Sequence, residues 1–282
     1  MADIFEFELT GMAYGGSAVG RYRERAVFVP YTLPGERVRA RITRDKKRFA
    51  QAEVVELVVA SPDRTEPRCP HFGPGLCGGC HWQHIRYEAQ LAYKQQIVAD
   101  QLRRIGGLPD AEVLPTIASP DPWYYRSHVT FHVSPAGRLG YIMTDDRSVL
   151  PITECHIIRP ELLADFQQRG GRAPKGAARL RVQVGSHGDR LAASTAPDER
   201  AFQPVTDTTR VRYTVKGRTF EVTAGSFFQV NLPQAETVVN LMLDRLALAG
   251  TERALDLYSG VGLFTAFLAE HAAHVTAVES FP

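Results

Sequence analysis

Residues 254–279 read ALDLYSGVGLFTAFLAEHAAHVTAVE. An apolar run ends at Asp256-Leu257, and glycines follow at 260 and 262. A helix-like segment comes next, and a second apolar run ends at Glu279. This is the β-α-β order of a parallel sheet. Glycine lets a backbone approach a ligand closely, and the start of the following helix favours polar or negative groups. An acidic side chain about 20 residues on can hold both hydroxyls of a ribose. A dinucleotide fingerprint asks for Gly or Ala where Thr265 stands. The form D-x3-G-x-G is instead typical of S-adenosylmethionine sites, and the spacing from Gly260 to Glu279 suits one adenosine moiety. The bland alternative is an ordinary α/β core turn.

Working towards the N-terminus, a helical stretch over about 233–248 leads into this unit. Residues 123–225 have the pattern of an antiparallel sheet. The strand-like runs are YRSHVTFHV, RLGYIM, RLRVQVG, VRYTV and TFEVTA, with turns at Ala136-Gly137, Gly188-Asp189 and Lys216-Gly217. Between 84 and 105 the pattern is helical, with Leu91, Val98, Leu102 and Ile105 as its apolar positions and Gly106-Gly107 as its end. The stretch 61–82 is too rich in Pro and Gly for helix or sheet, and it needs an anchor other than a core to become ordered. Residues 1–60 read as a small all-β unit. Strands are expected at 3–9, 26–30, 36–42 and 49–59, and glycines at 11, 15, 16 and 20 act as breaks. That pattern fits a barrel of the OB type, a shape often used to hold nucleic acid. The alternative is a barrel that only braces its neighbour.

Composition is that of a folded domain protein: 282 residues, 44% hydrophobic and 23% charged. No stretch approaches the roughly 18 apolar residues of a membrane span. The start, MADIFEFELTG, lacks the basic and apolar regions of a secretory signal, so a cytoplasmic protein is expected. The net charge of +2 says little, but its distribution says more. RVRARITRDKKR at 37–48 has seven basic groups against one Asp, and 169–181 carries Arg169, Arg172, Lys175, Arg179 and Arg181 with no acid. Such clusters suit a polyanion; a solvated charged surface is the competing reading.

There are four cysteines, Cys69, Cys77, Cys80 and Cys155, spaced C-x7-C-x2-C and then one far off. Four thiolates suffice for tetrahedral zinc or for a [4Fe–4S] cluster. Zinc sites usually use two short Cys-x2-Cys hooks, and here there is one. Spacing alone leaves zinc and iron–sulfur level, with four unrelated buried thiols as the third option.

Four blocks now stand in order: the barrel-like 1–60, C-x7-CGGCHWQHI-x4-QLxxKQ at 69–95, TECHI around Cys155, and SFFQVN (226–231) followed by LDLYSGVGLFT (255–265). Together they resemble the bacterial 23S rRNA (uracil-5-)-methyltransferases, the branch with an N-terminal TRAM domain and an iron–sulfur cluster. The resemblance implies a multidomain α/β fold. Its parts are a TRAM (OB-like) β-barrel at 1–60, a central domain at 61–225 with the cluster loop and antiparallel sheet, and an incomplete Rossmann-like S-adenosylmethionine-dependent methyltransferase domain starting at 226–282.

The resemblance also implies roles. Cys69, Cys77, Cys80 and Cys155 would ligate one structural [4Fe–4S] cluster. Gln229, Tyr258 and Glu279 would contact S-adenosyl-L-methionine, with Glu279 on the ribose. Phe227 and Phe228 are expected to be core. The implied reaction is methylation of uracil C5 in 23S rRNA. A cysteine thiolate adds to C6 of a flipped base, C5 takes the methyl group from the sulfonium, and a base removes the C5 proton as the thiolate leaves. All four thiols are assigned to the cluster, so no catalytic residue is assigned. The nucleophile and base are expected beyond Pro282, which makes this chain a C-terminally truncated member, inactive alone and with poorly stabilised terminal strands. RNA is the expected partner; no membrane or protein partner is expected. The alternatives are a non-catalytic RNA-binding module, a tRNA uracil-5-methyltransferase, and an NAD-dependent oxidoreductase with an iron–sulfur centre.

Overall fold

The structure, a computed structural model, describes residues 4–280. Two compact units divide the chain. The first runs to Ala118 and adds Ile142–Arg147; the second takes Ser119–Tyr141 and the described residues from Ser148 on.

Strict alternation builds the first unit. In β1 (Ile4–Met12) Phe5, Phe7 and Leu9 are buried while Glu6 and Glu8 face solvent. With β2 (Ala18–Tyr22), β3 (Arg25–Val29), β4 (Arg37–Asp45) and β5 (Phe49–Val59) it closes a barrel of order β1-β2-β3-β5-β4. All pairs are antiparallel except β3 with β5. Closure leaves no edge strand. The expected barrel is therefore present, with one strand more than the sequence reading supplied. The additional strand is β2, which the sequence hides because Gly20 reads as a break. A Cβ there would lie 2.1 Å from the Glu8 carbonyl oxygen, so glycine marks the closest approach of β1 and β2.

Helix α1 (Tyr87–Arg104) packs on this barrel, though not by the face the sequence reading chose. Val98 is 49% and Ile105 78% exposed, while Ala89 and Tyr93 join the barrel core. Ala89 and Tyr93, with Ile97 partly buried beside them, carry the contact, so the docking face is centred on a small and an amphipathic residue and leaves Val98 and Ile105 outside. The Tyr93 hydroxyl donates to Asp63 at 3.2 Å; burial first, then the Asp63 charge, pushes its pKa up to about 12.

In the second unit, β6 (His128–Val133), β7 (Leu139–Ile142), β8 (Val149–Pro151), β9 (Arg179–Val184), β10 (Arg190–Thr195) and β11 (Gln203–Pro204) form one sheet. Its order is β11-β10-β9-β6-β7-β8. Helix α2 (Pro160–Gln168) buries Leu162 and Phe166 in the same core as Val129, Phe131 and Leu180. The hairpin β12 (Arg210–Val215)–β13 (Arg218–Thr223) is a separate two-stranded ribbon, so the expected antiparallel region is two sheets. Strand β10 is not legible in the sequence because its buried positions include Ala192 and Ala193, which carry little strand propensity.

Helix α3 (Leu232–Leu246) is capped by Asn231, whose side-chain oxygen accepts from the Gln234 N–H. Then come β14 (Arg253–Leu257), α4 (Leu263–Leu268) and β15 (His274–Val278), with β14 and β15 parallel as the opening motif requires. Val211, Tyr213, Phe228, Val239, Leu263 and Phe267 form the core beneath them. The outer positions Leu255 and Leu257 are 60% and 55% exposed. Among the described residues no helix is long and apolar enough to cross a membrane.

Candidate functional site

The glycine turn sits at the carboxyl ends of β14 and β15, the end where parallel sheets place ligands. Tyr258 leaves β14 with φ +59° and is 85% exposed. The Ser259 N–H donates to the Val278 carbonyl, which ties the turn to the neighbouring strand. Glu279, directly after β15, accepts the Gly260 N–H at 2.8 Å. The acid thus closes the turn from the opposite strand, a role its sequence position alone did not disclose. Thr265 also has a reason for standing where a dinucleotide fold would have Gly or Ala. Its hydroxyl donates to Asp256 at 2.5 Å and clamps α4 to the end of β14. The helix is six residues long.

The SFFQVN segment, 226–231, lies beside Ser127, just before β6, and beside β9. The Ser127 N–H donates to the Val230 carbonyl at 2.9 Å, and the Arg181 guanidinium donates to the Ser226 carbonyl at 2.9 Å. Arg181 also donates to the buried Gln183, whose amide reaches the Tyr213 hydroxyl. His128 stands beside Arg181 and Arg126. Burial, then these two cations, lowers its pKa to about 3, and its Nδ1 lacks a hydrogen-bond partner. This network fixes the backbone around Gln229, which is half-buried. Phe228 stacks on Tyr213 at 4.8 Å and is core, as expected. Phe227 is 67% exposed, which corrects the expectation that both rings are core. Gln229 follows Phe228, and Tyr258 precedes α4; both segments are anchored in one core through Phe228 and Leu263.

The cysteines divide between the units: Cys69, Cys77 and Cys80 in the first and Cys155 in the second. All four are thiols rather than disulfides. The spacing leads one to expect converging sulfurs, yet among the described residues no three His, Cys, Asp or Glu side chains gather as a metal group. Locally the loop suits a thiolate-bound group. The Gly79 N–H donates to the Cys77 sulfur at 3.4 Å, the kind of bond that steadies ligating sulfur. Cys77 pairs with Met143 in a single β-bridge, and the Gly78 N–H donates to the Ile142 carbonyl. A Cβ on Gly78 would press on the Ile142 and Met143 carbonyl oxygens at 3.1 and 3.2 Å, so the strand-like contact needs glycine. In the second unit the Tyr141 hydroxyl donates to the Cys155 sulfur at 3.8 Å. The donor set fits a cluster in chemistry.

The basic clusters are compensated in part. Arg37, Arg39 and Arg41 form a ladder with Glu6, Glu56 and Glu53 on the outer barrel face. Arg169 pairs with Asp165, and Arg181 is internal. Among the described residues Arg172 and Lys175 stay exposed without an ion-pair partner, as does the end of β4 with the β4–β5 turn. Among the described residues Arg44, Lys46, Lys47 and Arg48 have no ion-pair partner, and all four are exposed. Beside this turn lies a cleft of about 940 Å³ in the first unit, lined by barrel strands, the cysteine loop and Thr144–Asp146. No sequence signal pointed to it.

Residues 5–55 match the family model described as TRAM domain. An uncharacterized RNA methyltransferase of Thermosynechococcus vestitus is 32% identical over 97% of this chain and 72% of that protein. One from Streptomyces coelicolor is 33% identical over 99% and 68%. The 23S rRNA (uracil(1939)-C(5))-methyltransferase RlmD of Alkalilimnicola ehrlichii is 31% identical over 98% of this chain and 70% of its own. Among solved structures, the Pyrococcus abyssi tRNA (uracil-54, C5)-methyltransferase in complex with S-adenosyl-L-homocysteine covers 94% of this chain and 70% of its own. Its TM-score is 0.66 at 22% identity, a likeness of fold alone.

Proposed function

The chain belongs to the TRAM-bearing RNA (uracil-5-)-methyltransferase family, and from that premise we propose that it serves S-adenosylmethionine-dependent methylation of uracil C5 in ribosomal RNA, acting in the cytoplasm. The observation that carries the reading is the glycine turn closed by Glu279 at the end of a parallel strand pair. One carboxylate oxygen of Glu279 accepts the Gly260 N–H, and the other offers the ribose hydroxyls a charged acceptor. Tyr258, exposed beside it, covers the adenosine, and Gln229 approaches from the segment held by Ser127 and Arg181.

Two consequences attach to the cysteines. Cys69, Cys77, Cys80 and Cys155 would hold a [4Fe–4S] cluster, whose contribution is to anchor the 61–82 loop. Those are all the thiols in the 282 residues. None is left to add to uracil C6, so this chain alone is expected to bind the donor without methylating RNA. The domain division proposed is a barrel over 1–60, a cluster and sheet region over 61–225, and the start of the methyltransferase sheet from 226.

Calorimetry with S-adenosylhomocysteine tests the reading. Glu279→Gln keeps an acceptor for the Gly260 N–H and loses the charge. It should weaken binding by about tenfold or more, since a hydrogen bond to a charged group is worth about 1.5–3 kcal/mol. A Gln variant that binds as tightly as the parent would confine Glu279 to the turn and remove it from the ribose.

A further inference from the structure

The cleft in the first unit is built like a stacking site. Phe28 lies on the barrel side, with Phe49 edge-on to it at 5.8 Å. Phe72 lies on the cysteine-loop side, edge-on to Tyr31 at 5.4 Å and backed by His84, whose ring is near-parallel at 5.6 Å. Tyr31 holds φ +62°, a costly backbone for an aromatic residue, and its carbonyl is fixed by Arg64. The charged liners Glu53 and Arg64 are already paired, with Arg41 and Glu36. Asp146 is the remaining lining carboxylate and can accept an N–H from a base edge. Thr43 and Gln51, also on the wall, flank the turn that carries Arg44, Lys46, Lys47 and Arg48. The volume of about 940 Å³ falls within the range of ligand pockets.

We propose that this cleft takes one unstacked base of single-stranded RNA between the Phe28 and Phe72 walls, while the 44–48 turn holds the adjoining phosphates. Flat rings that accept any base beside a track of cations are the usual means of gripping single strands. The inference rests on the RNA reading above and adds to it a place for a nucleotide that is not the one methylated. The cysteine loop then has a second task, since it supplies one wall of the cleft through Phe72.

The test uses the whole anaerobically purified chain and a labelled single-stranded 12-nucleotide RNA read by anisotropy, with S-adenosylhomocysteine binding measured in parallel. A strand abasic at every position, which no change of register can rescue, should bind at least about tenfold more weakly than the intact strand, the scale of one lost base stack. Phe72→Leu should weaken binding of the intact strand by a similar factor and abolish the abasic effect. Lys46→Gln with Lys47→Gln should lower the slope of log Kd against log salt by about 0.7 per charge removed. These exposed positions keep the proposal testable if the Phe72 variant fails to fold. S-adenosylhomocysteine binding should be unchanged throughout. RNA bound equally well by every variant, with donor binding intact, overturns the cleft and leaves the family reading standing. Absence of RNA binding by the parent chain, with donor binding intact, overturns the cleft and the RNA partner together. Loss of donor binding with the RNA pattern preserved would leave the cleft and sink the Glu279 assignment.

Discussion

His84 and His128 are imidazoles buried at 1% and 6% exposure, each with an unpartnered Nδ1. Burial, then Arg64, lowers His84 to about 4, and burial with Arg181 and Arg126 lowers His128 to about 3. A histidine whose folded pKa lies below its unfolded value of about 6.5 gives full stability above that value and loses it as pH falls towards the folded pKa. Between pH 7.5 and 5.0 each should therefore cost about 2 kcal/mol of stability. Urea unfolding at the two pH values checks this: His84→Gln and His128→Gln should each shrink the acid loss, and an unchanged loss would contradict it. At the same scale, Gly20→Ala drives a methyl group onto the Glu8 carbonyl and should destabilise the barrel by about 3 kcal/mol, the upper end for overpacking. The glycine turn between two parallel strands could be found in the sequence because the order of apolar runs and glycines encodes it, whereas the bond from the Gly260 N–H to Glu279 could not. Nor could the bond from Thr265 to Asp256 or the task of Arg181, since each depends on a partner that only folding supplies.

Among the elements, strands with clean alternation were legible, and those resting on glycine or alanine were not. Strand β2 hides behind Gly20, and β10 behind Ala192 and Ala193. Helix α1 was legible as a helix but not in its buried face, which is centred on Ala89, Tyr93 and Ile97 and leaves Val98 and Ile105 exposed. Tyr93→Ala should therefore cost about 3 kcal/mol, as large aromatic truncations do, and Val98→Ala less than about 0.5. Chemical denaturation separates the two, and equal effects would restore the other face. For the 61–82 loop, the Pro- and Gly-rich composition signalled that an anchor was needed. Part of that anchor is visible as the pairing of Arg64 with the buried Glu36 and the bond from Trp82 to the Gly16 carbonyl. If a cluster supplies the rest, iron chelation should speed proteolysis within 61–82 severalfold while leaving the barrel intact; unchanged cleavage would assign the loop's order to those protein contacts.

At the scale of the molecule, charge was the least legible property. A run of seven basic residues looked like a binding face, and pairing across the barrel leaves only its turn uncompensated. The ladder of Arg37, Arg39 and Arg41 with acids from β1 and β5 is set by barrel register, which no local reading supplies. Catalysis is a whole-molecule property as well: purified chain, donor and an rRNA fragment should yield no C5-methyluracil, and robust methylation would show that one of the four cysteines is not a cluster ligand. The most direct test of the donor site is ultraviolet cross-linking with methyl-labelled S-adenosylmethionine, followed by peptide mapping. The label should fall in peptides containing Ser226–Asn231 or residues 254–279 and be competed away by S-adenosylhomocysteine. Label confined to the barrel, or none that the competitor removes, would contradict the account.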